Sequence, residues 1–337
     1  MQRTLLLIVT LAAWLTAMPC LAGNAGGRFA MDFDLSAQPN NEETRLWIPY
    51  PVSDRYQEIS NVAVSGDYAE SAVYTDKVFK TPMLYARWDK GAKSRKLTFA
   101  FDVSRLERLD KNLPPWETRW DTADYAADLA PTSLAPTTGP VKELADRITA
   151  GKGTVLAKAK AIYDWICENM FRDPDTRGCG KGAVCSLLVT RGGKCADIHS
   201  VFVALARAAG VPAREVFGLR QGKEGVTDVT TWQHCWAEFY LPGYGWVVVD
   251  PADVRKKMLT EKLTLEDAKT AEYRDYFWGG VDPYRVQLAV GRDLTLTPPQ
   301  AGEPVNYLMY PFAQVGETTI DWLDPKSFRY TISHTAK

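Results

Sequence analysis

Histidine is scarce: the 337-residue chain has three, at His199, His234 and His334. Any chemistry that needs an imidazole therefore has few places to occur. Excess charge of either sign is also missing, since 40 basic against 41 acidic side chains leave a net charge of −1. That removes the electrostatic footprint expected for a nucleic-acid partner or a strongly anionic surface. No low-complexity run interrupts the sequence, and beyond the N-terminal segment no apolar stretch is long enough to cross a bilayer. The cysteines form no repeated Cys-x-x-Cys pattern, which argues against structural zinc. Acidic residues are nowhere clustered as in a calcium loop. Neither a metal nor an organic cofactor is expected.

What is present is an ordinary globular composition, 46% hydrophobic and 24% charged, at a length that suits about two domains. The first residues stand apart. Arg3 precedes an apolar run from Leu5 to Leu15, and small residues follow at Ala22, Gly23 and Ala25. A charged start, a short apolar middle and a small-residue exit are the layout of a secretory signal peptide, assigned to 1–22. A buried N-terminal helix is the plainer alternative. Ala17-Met18-Pro19 before Cys20 is a poor lipid-attachment box. The mature chain is expected to be periplasmic or secreted, with no membrane span. Five cysteines then remain, Cys167, Cys179, Cys185, Cys195 and Cys235. An odd number in an oxidising compartment leaves at least one thiol without an intramolecular partner. Cys179 and Cys185 flank a glycine-rich loop and are candidates for a disulfide, with Cys235 a rival partner.

Over 28–107 the pattern has period two: Phe29, Met31, Phe33 and Leu35, then Leu97, Phe99, Phe101 and Val103. This predicts an antiparallel β unit of sandwich type. Pro114, Pro115, Pro131, Pro136 and Pro140 mark a linker over 108–140. The period then changes. Val155, Ala159, Ile162, Ile166 and Met170 predict a helix over 154–170, and Ile198, Val201, Phe202, Leu205 and Ala209 a second one starting near Cys195. Strands are expected at 214–219, 234–241 and 246–250, a charged helical stretch at 260–274, and a β extension over 281–337. The fold class is α+β, with a catalytic unit over 141–280.

Cys195 follows Gly192-Gly193-Lys194 at the first turn of its helix. A thiol there meets the positive end of the helix dipole and free backbone N–H groups, both of which favour the thiolate. A thiolate nucleophile needs a base. His334 reads as a surface residue of the C-terminal tail. His199 lies at i+4 from Cys195, but on a helix whose buried stripe makes a packing role equally natural. His234 is selected by hairpin geometry: a turn centred near residue 243 places it opposite positions 250 to 253, where Asp250 stands. A carboxylate beside the imidazole fixes its tautomer and stabilises the imidazolium. Taken alone, Asp250 would read as a capping or turn residue.

The blocks Gly193-Lys194-Cys195-Ala196-Asp197, Ala204 to Arg214, Trp232 to Glu238, and Gly245-Trp246 with Asp250-Pro251 resemble the transglutaminase-like superfamily. The resemblance covers 150–255. It implies a papain-like core and a Cys–His–Asp triad at Cys195, His234 and Asp250, with His199 outside the triad. The glutamine that the papain pattern sets shortly before the cysteine is missing, the residues there being Leu188-Val189-Thr190-Arg191. The backbone N–H of Cys195 is one oxyanion donor; Trp165 and Gln233 are candidates for the second. Trp236 and Trp246 read as packing against the catalytic hairpin, Asp197 as a helix-start hydrogen-bonding residue. Tyr273, Tyr276, Phe277 and Trp278 read as core or groove. The expected function is hydrolysis of a peptide or isopeptide amide in a peptide or protein substrate. Protein cross-linking and a non-catalytic binding module are the alternatives.

Overall fold

The computed structural model describes residues 23–337; the expected signal peptide lies outside them. Two five-stranded antiparallel sheets face each other. One runs, edge to edge, Val226–Asp228, Arg329–Ala336, Asn24–Asp34, Lys96–Leu106 and Gln57–Gly66. The other runs Thr318–Thr319, Phe312–Val315, Thr44–Pro49, Pro82–Trp88 and Glu70–Thr75. Alternation is the reason. Phe29, Met31 and Phe33 point inward with Leu97, Phe99 and Phe101, all essentially inaccessible, while Asp32 faces water. Each buried Phe removes enough apolar surface to contribute roughly 1.5–3 kcal/mol.

The two chain ends build this sandwich together. Asn24–Asp34 pairs along its whole inner length with Arg329–Ala336, Phe29 opposite His334 and Met31 opposite Ile332. The stretch 281–337 is thus not a separate extension: most of its strands complete the β unit that begins at 28. His334 is correspondingly not a surface residue; it is fully buried, its ring 4.6 Å from that of Phe29. Within 108–140 the prolines leave only a short strand, Arg108–Leu109, and a helical turn around Thr122–Leu129.

The second unit is a four-stranded antiparallel sheet in the order Gly245–Val249, Gln233–Leu241, Ala213–Arg220, Arg285–Val290. Helix Cys195–Ala208 packs across it and is buried over its full length. Helices Val155–Asn169 and Pro251–Glu261 pack against that helix in turn. The units share side chains, since Leu219, Val286 and Leu288 of this sheet sit in the sandwich core. The charged stretch expected as one helix over 260–274 is broken. Pro251–Glu261 ends at Lys262, which takes a left-handed φ of 55°, and Leu263 N–H closes back on Met258 O at 2.8 Å. A new helix, Ala268–Phe277, follows. No helix among the described residues is long and apolar enough to cross a membrane.

Candidate active site

Cys195 is the first residue of its helix, delivered by the extended pair Gly192–Gly193 lying parallel to Phe171–Arg172. Asp197 locks this start, its carboxylate accepting from Gly182 N–H at 2.8 Å and Lys194 N–H at 3.2 Å. This is the hydrogen-bonding role read from its position. The neighbouring glycines are required sterically. A Cβ on Gly180, whose φ is +91°, would lie 1.9 Å from Asp197 Oδ2, and one on Gly193 would lie 2.5 Å from Asp197 Cβ. The helix start therefore closes around one carboxylate, and the backbone of Cys195 is fixed.

His234 sits on strand Gln233–Leu241 opposite Gly218. The next hairpin pairs Leu241 with Gly245 and Ala237 with Val249, so the register carries His234 just past the end of the partner strand. There Asp250 leaves the sheet and caps helix Pro251–Glu261, with Oδ1 accepting from Asp253 N–H at 2.9 Å and proline in the first helical position. Its other oxygen, Oδ2, lies 2.8 Å from His234 Nε2. The capping role and the histidine-orienting role thus belong to one residue. With Nε2 engaged, Nδ1 is the nitrogen left for Cys195, whose thiol pKa the nearby His234 helps to lower. The three sequence-assigned residues converge, each at most 4% exposed.

Electrostatics favour an ion pair. The Cys195 thiol is held well below its usual range, by hydrogen bonds from Cys179 and Cys235 and by His234, against the opposing effect of burial. Cys179 and Cys235 are pushed well above theirs and remain thiol donors. His234 is raised: burial and the Arg220 charge press it down, and the Asp253 and Asp250 carboxylates outweigh them. Burial would raise Asp250, but His234, His199 and Arg285 hold it well below the carboxylate range.

Several participants were not visible in the sequence. Arg285, fully buried, donates from Nη1 to Asp250 Oδ2 at 2.8 Å and from Nη2 to Asp253 Oδ2 at 3.3 Å, and also binds Asp282. Asp253 Oδ2 lies 3.6 Å from His234 Nε2, and Asp253 also pairs with Arg220. His234, Asp250 and Asp253 cluster closely enough to suggest a cation site. The guanidinium groups of Arg285 and Arg220 already neutralise both carboxylates. His199 also differs from expectation. It has a carboxylate after all, Nε2 lying 3.2 Å from Asp250 Oδ1, although poorly aligned for a hydrogen bond. Its Nδ1 is 3.4 Å from Cys235 Sγ. Asp253 was within reach of sequence reasoning, being one helical turn beyond Asp250; Arg285, on a different strand, had no such signal.

The cysteines do not form the suggested Cys179–Cys185 disulfide. All five described are free; Cys185 is exposed, whereas Cys179 is buried, its Sγ donating to Gln233 O at 3.5 Å. The Gln233 amide donates to Thr230 O at 2.9 Å, and Trp165 lies under the Arg191 guanidinium at 4.6 Å. Trp236 is buried against the guanidinium groups of Arg105 and Arg285, and Trp246 is stacked under Arg214 at 3.8 Å, so both serve packing. Arg214 and Arg108 together bind the buried Glu238. The aromatic cluster divides: Trp278 stacks on Phe239 in the core, while Tyr273, Tyr276 and Phe277 line a cavity of about 980 Å³.

Residues 142–251 match the model of the transglutaminase-like superfamily, a stretch that contains Cys195, His234 and Asp250. An uncharacterized protein of Haemophilus influenzae is 36% identical over 329 residues, covering 90% of this chain and 89% of that one. A protein-glutamine gamma-glutamyltransferase of Pseudomonas aeruginosa is 33% identical over 93 residues, 26% of this chain and 14% of its own length. A candidate cysteine protease structure from Cytophaga hutchinsonii superposes with a TM-score of 0.54 at 16% identity, over 93% of this chain and 99% of that one, a likeness of fold. Matched over residues 142–251 by the family model and nearly end to end by the Haemophilus protein, the chain belongs to the transglutaminase-like superfamily.

Proposed function

We propose that this chain is an exported thiol enzyme that cleaves peptide or isopeptide amides by acyl transfer through Cys195, His234 and Asp250. The observation that carries the reading is the His234 Nε2–Asp250 Oδ2 contact at 2.8 Å, beside a helix-start thiol, Cys195, that His234 helps to hold well below its ordinary range. In this scheme the Cys195 thiolate attacks the amide carbon while His234 holds the proton. The tetrahedral oxyanion takes the N–H of Cys195 at the helix start. The C–N bond breaks as the imidazolium protonates the leaving amine. His234 then deprotonates water, which attacks the thioester and releases the acid and the thiol. Export rests on the character of residues 1–22.

A second reading, amine rather than water as acceptor, is favoured by the 33% identity to the Pseudomonas transglutaminase. Both readings share the thioester. They are separated by incubating an acylating substrate with millimolar primary amine and counting free acid against amine adduct by mass spectrometry. Excess free acid supports hydrolysis. Dominant amine incorporation that disappears in Cys195→Ser makes the chain a cross-linker.

A further inference from the structure

A cavity of about 450 Å³ lies between the unit that carries Cys195 and the far end of the chain. Cys179, Lys194 and Gln233 line it from the first side. Each is tied to the proposed triad. Lys194 precedes Cys195 and Gln233 precedes His234. Cys179 O accepts from the N–H of Ala196, the residue after Cys195, at 3.0 Å. Tyr310, Trp322, Leu323, Phe328 and Tyr330 line the cavity from the stretch that carries the last strands of the sandwich. Their rings are fixed on one another. Tyr310 and Trp322 stack with centroids 6.4 Å apart, Phe328 and Tyr330 meet edge-on at 5.2 Å, and the Tyr330 hydroxyl donates to Trp322 O at 3.4 Å.

Two contacts hold this aromatic wall in place. Arg177 pairs with Asp321 at 2.7 Å. Gly178 has a φ of +57°, and a Cβ there would lie 2.9 Å from Leu323 Cδ1 and 3.1 Å from Tyr310 Oη. The loop that delivers Cys179 therefore abuts the wall with no side chain between them. Among the described residues no carboxylate lines the cavity, and Arg177 already has its partner. The cavity of about 980 Å³ is different. Asp253, Glu272 and Asp282 line it, and Asp253 lies on the Nε2 side of His234, away from the nitrogen left for Cys195. A space walled by rings and free of anions favours an uncharged aromatic side chain, whose burial removes apolar surface on both partners from water.

We propose that this cavity is the specificity pocket of the enzyme and takes an aromatic side chain of the peptide substrate next to the amide that Cys195 attacks. Trp322, Leu323 and Tyr330 are its selecting wall, so the last strands of the sandwich unit carry residues that choose the substrate. This rests on Cys195 being the nucleophile, and the test separates the two claims. Bromoacetyl-phenylalaninamide and bromoacetyl-glutaminamide are both neutral and carry the same electrophile; each joins its methylene carbon to sulfur with loss of bromide. Their alkylation rates at Cys195 are compared by peptide mass in the reduced, folded chain. Both reagents meet the same thiolate, so the ratio of rates cancels any change in its population or in the folded fraction. The aromatic reagent is expected to react about tenfold faster, since the glutamine amide loses hydration that the rings do not replace. In Leu323→Ala and Tyr330→Ala each, the ratio should fall by about threefold. In Tyr273→Ala, which alters the other cavity, it should stay unchanged. Equal rates in the unmodified enzyme, an unchanged ratio in both wall variants, or a preference lost in Tyr273→Ala instead would overturn the proposal while leaving Cys195 as the nucleophile. If neither reagent modifies Cys195 while other thiols react, the nucleophile assignment fails and this inference falls with it.

Discussion

Arg285 and His234 bind the same oxygen of Asp250: Nη1 and Nε2 each lie 2.8 Å from Oδ2. A carboxylate shared in this way stays ionised and is a weak proton acceptor. It orients the imidazole and stabilises its positive charge without taking its proton. The arginine also bridges to Asp253 and Asp282, so it holds together three carboxylates from two parts of the chain.

Removing that arginine should therefore be costly. Arg285→Met leaves buried Asp250 and Asp253 short of their main neutralising group, and breaking a buried pair on one side costs about 3–5 kcal/mol. Urea denaturation should show a midpoint lowered accordingly. A change below about 1 kcal/mol would mean that Arg220 and the histidines suffice.

The two histidines on Asp250 should separate by phenotype. His234→Ala should reduce acylation of Cys195 by a thousandfold or more, the order seen when a triad base is lost, in a folded protein. His199→Ala removes a buried ring packed on Cys235 and Asp250. It should cost about 1–3 kcal/mol of stability and less than tenfold in rate. Single-turnover acylation and thermal melts of both variants check this. The reverse pattern would transfer the base role to His199.

His334 should make the protein acid-sensitive. Burial lowers its pKa, and neither ring nitrogen has a well-formed hydrogen bond despite the nearby Gly222 backbone. A base lowered in the folded state contributes stability that is present above its unfolded value of 6.5 and is lost as pH falls through the folded value. His234 is raised and has the opposite sign: its contribution is present below 6.5 and is lost as pH rises through its folded value. Unfolding free energy measured between pH 7 and 5 should therefore decline less in His334→Phe than in the unmodified chain. An equal decline would show that other groups set the slope.

The three residues of the proposed triad stand out in the sequence because each is tied to a local pattern. Cys195 begins a periodic helix after paired glycines, and a short hairpin fixes the reach from His234 to Asp250. The inward face of Asn24–Asp34 was legible for the same reason, a period of two. What pairs with that strand was not, since period two says nothing of the partner, and the partner lies some 300 residues away. Tyr330, Ile332 and His334 alternate too, but in so short a terminal stretch that His334 passed for surface. Arg285, Cys179 and the second contact of His199 are tertiary meetings with no local signature.

The central claim is that Cys195 is an activated thiolate while its four described companions are not. Cys167 is pushed up to about 12 by burial, Cys179 and Cys235 are raised well above the ordinary range, and Cys185 is simply exposed. The most direct test is a time course of iodoacetamide alkylation of the reduced, folded protein at pH 6, read peptide by peptide by mass spectrometry. Cys195 should be modified well before Cys185, with Cys167, Cys179 and Cys235 silent, and His234→Ala should remove the advantage. Earlier modification of Cys185, Cys167 or Cys235 than of Cys195 in the unmodified enzyme would contradict the account.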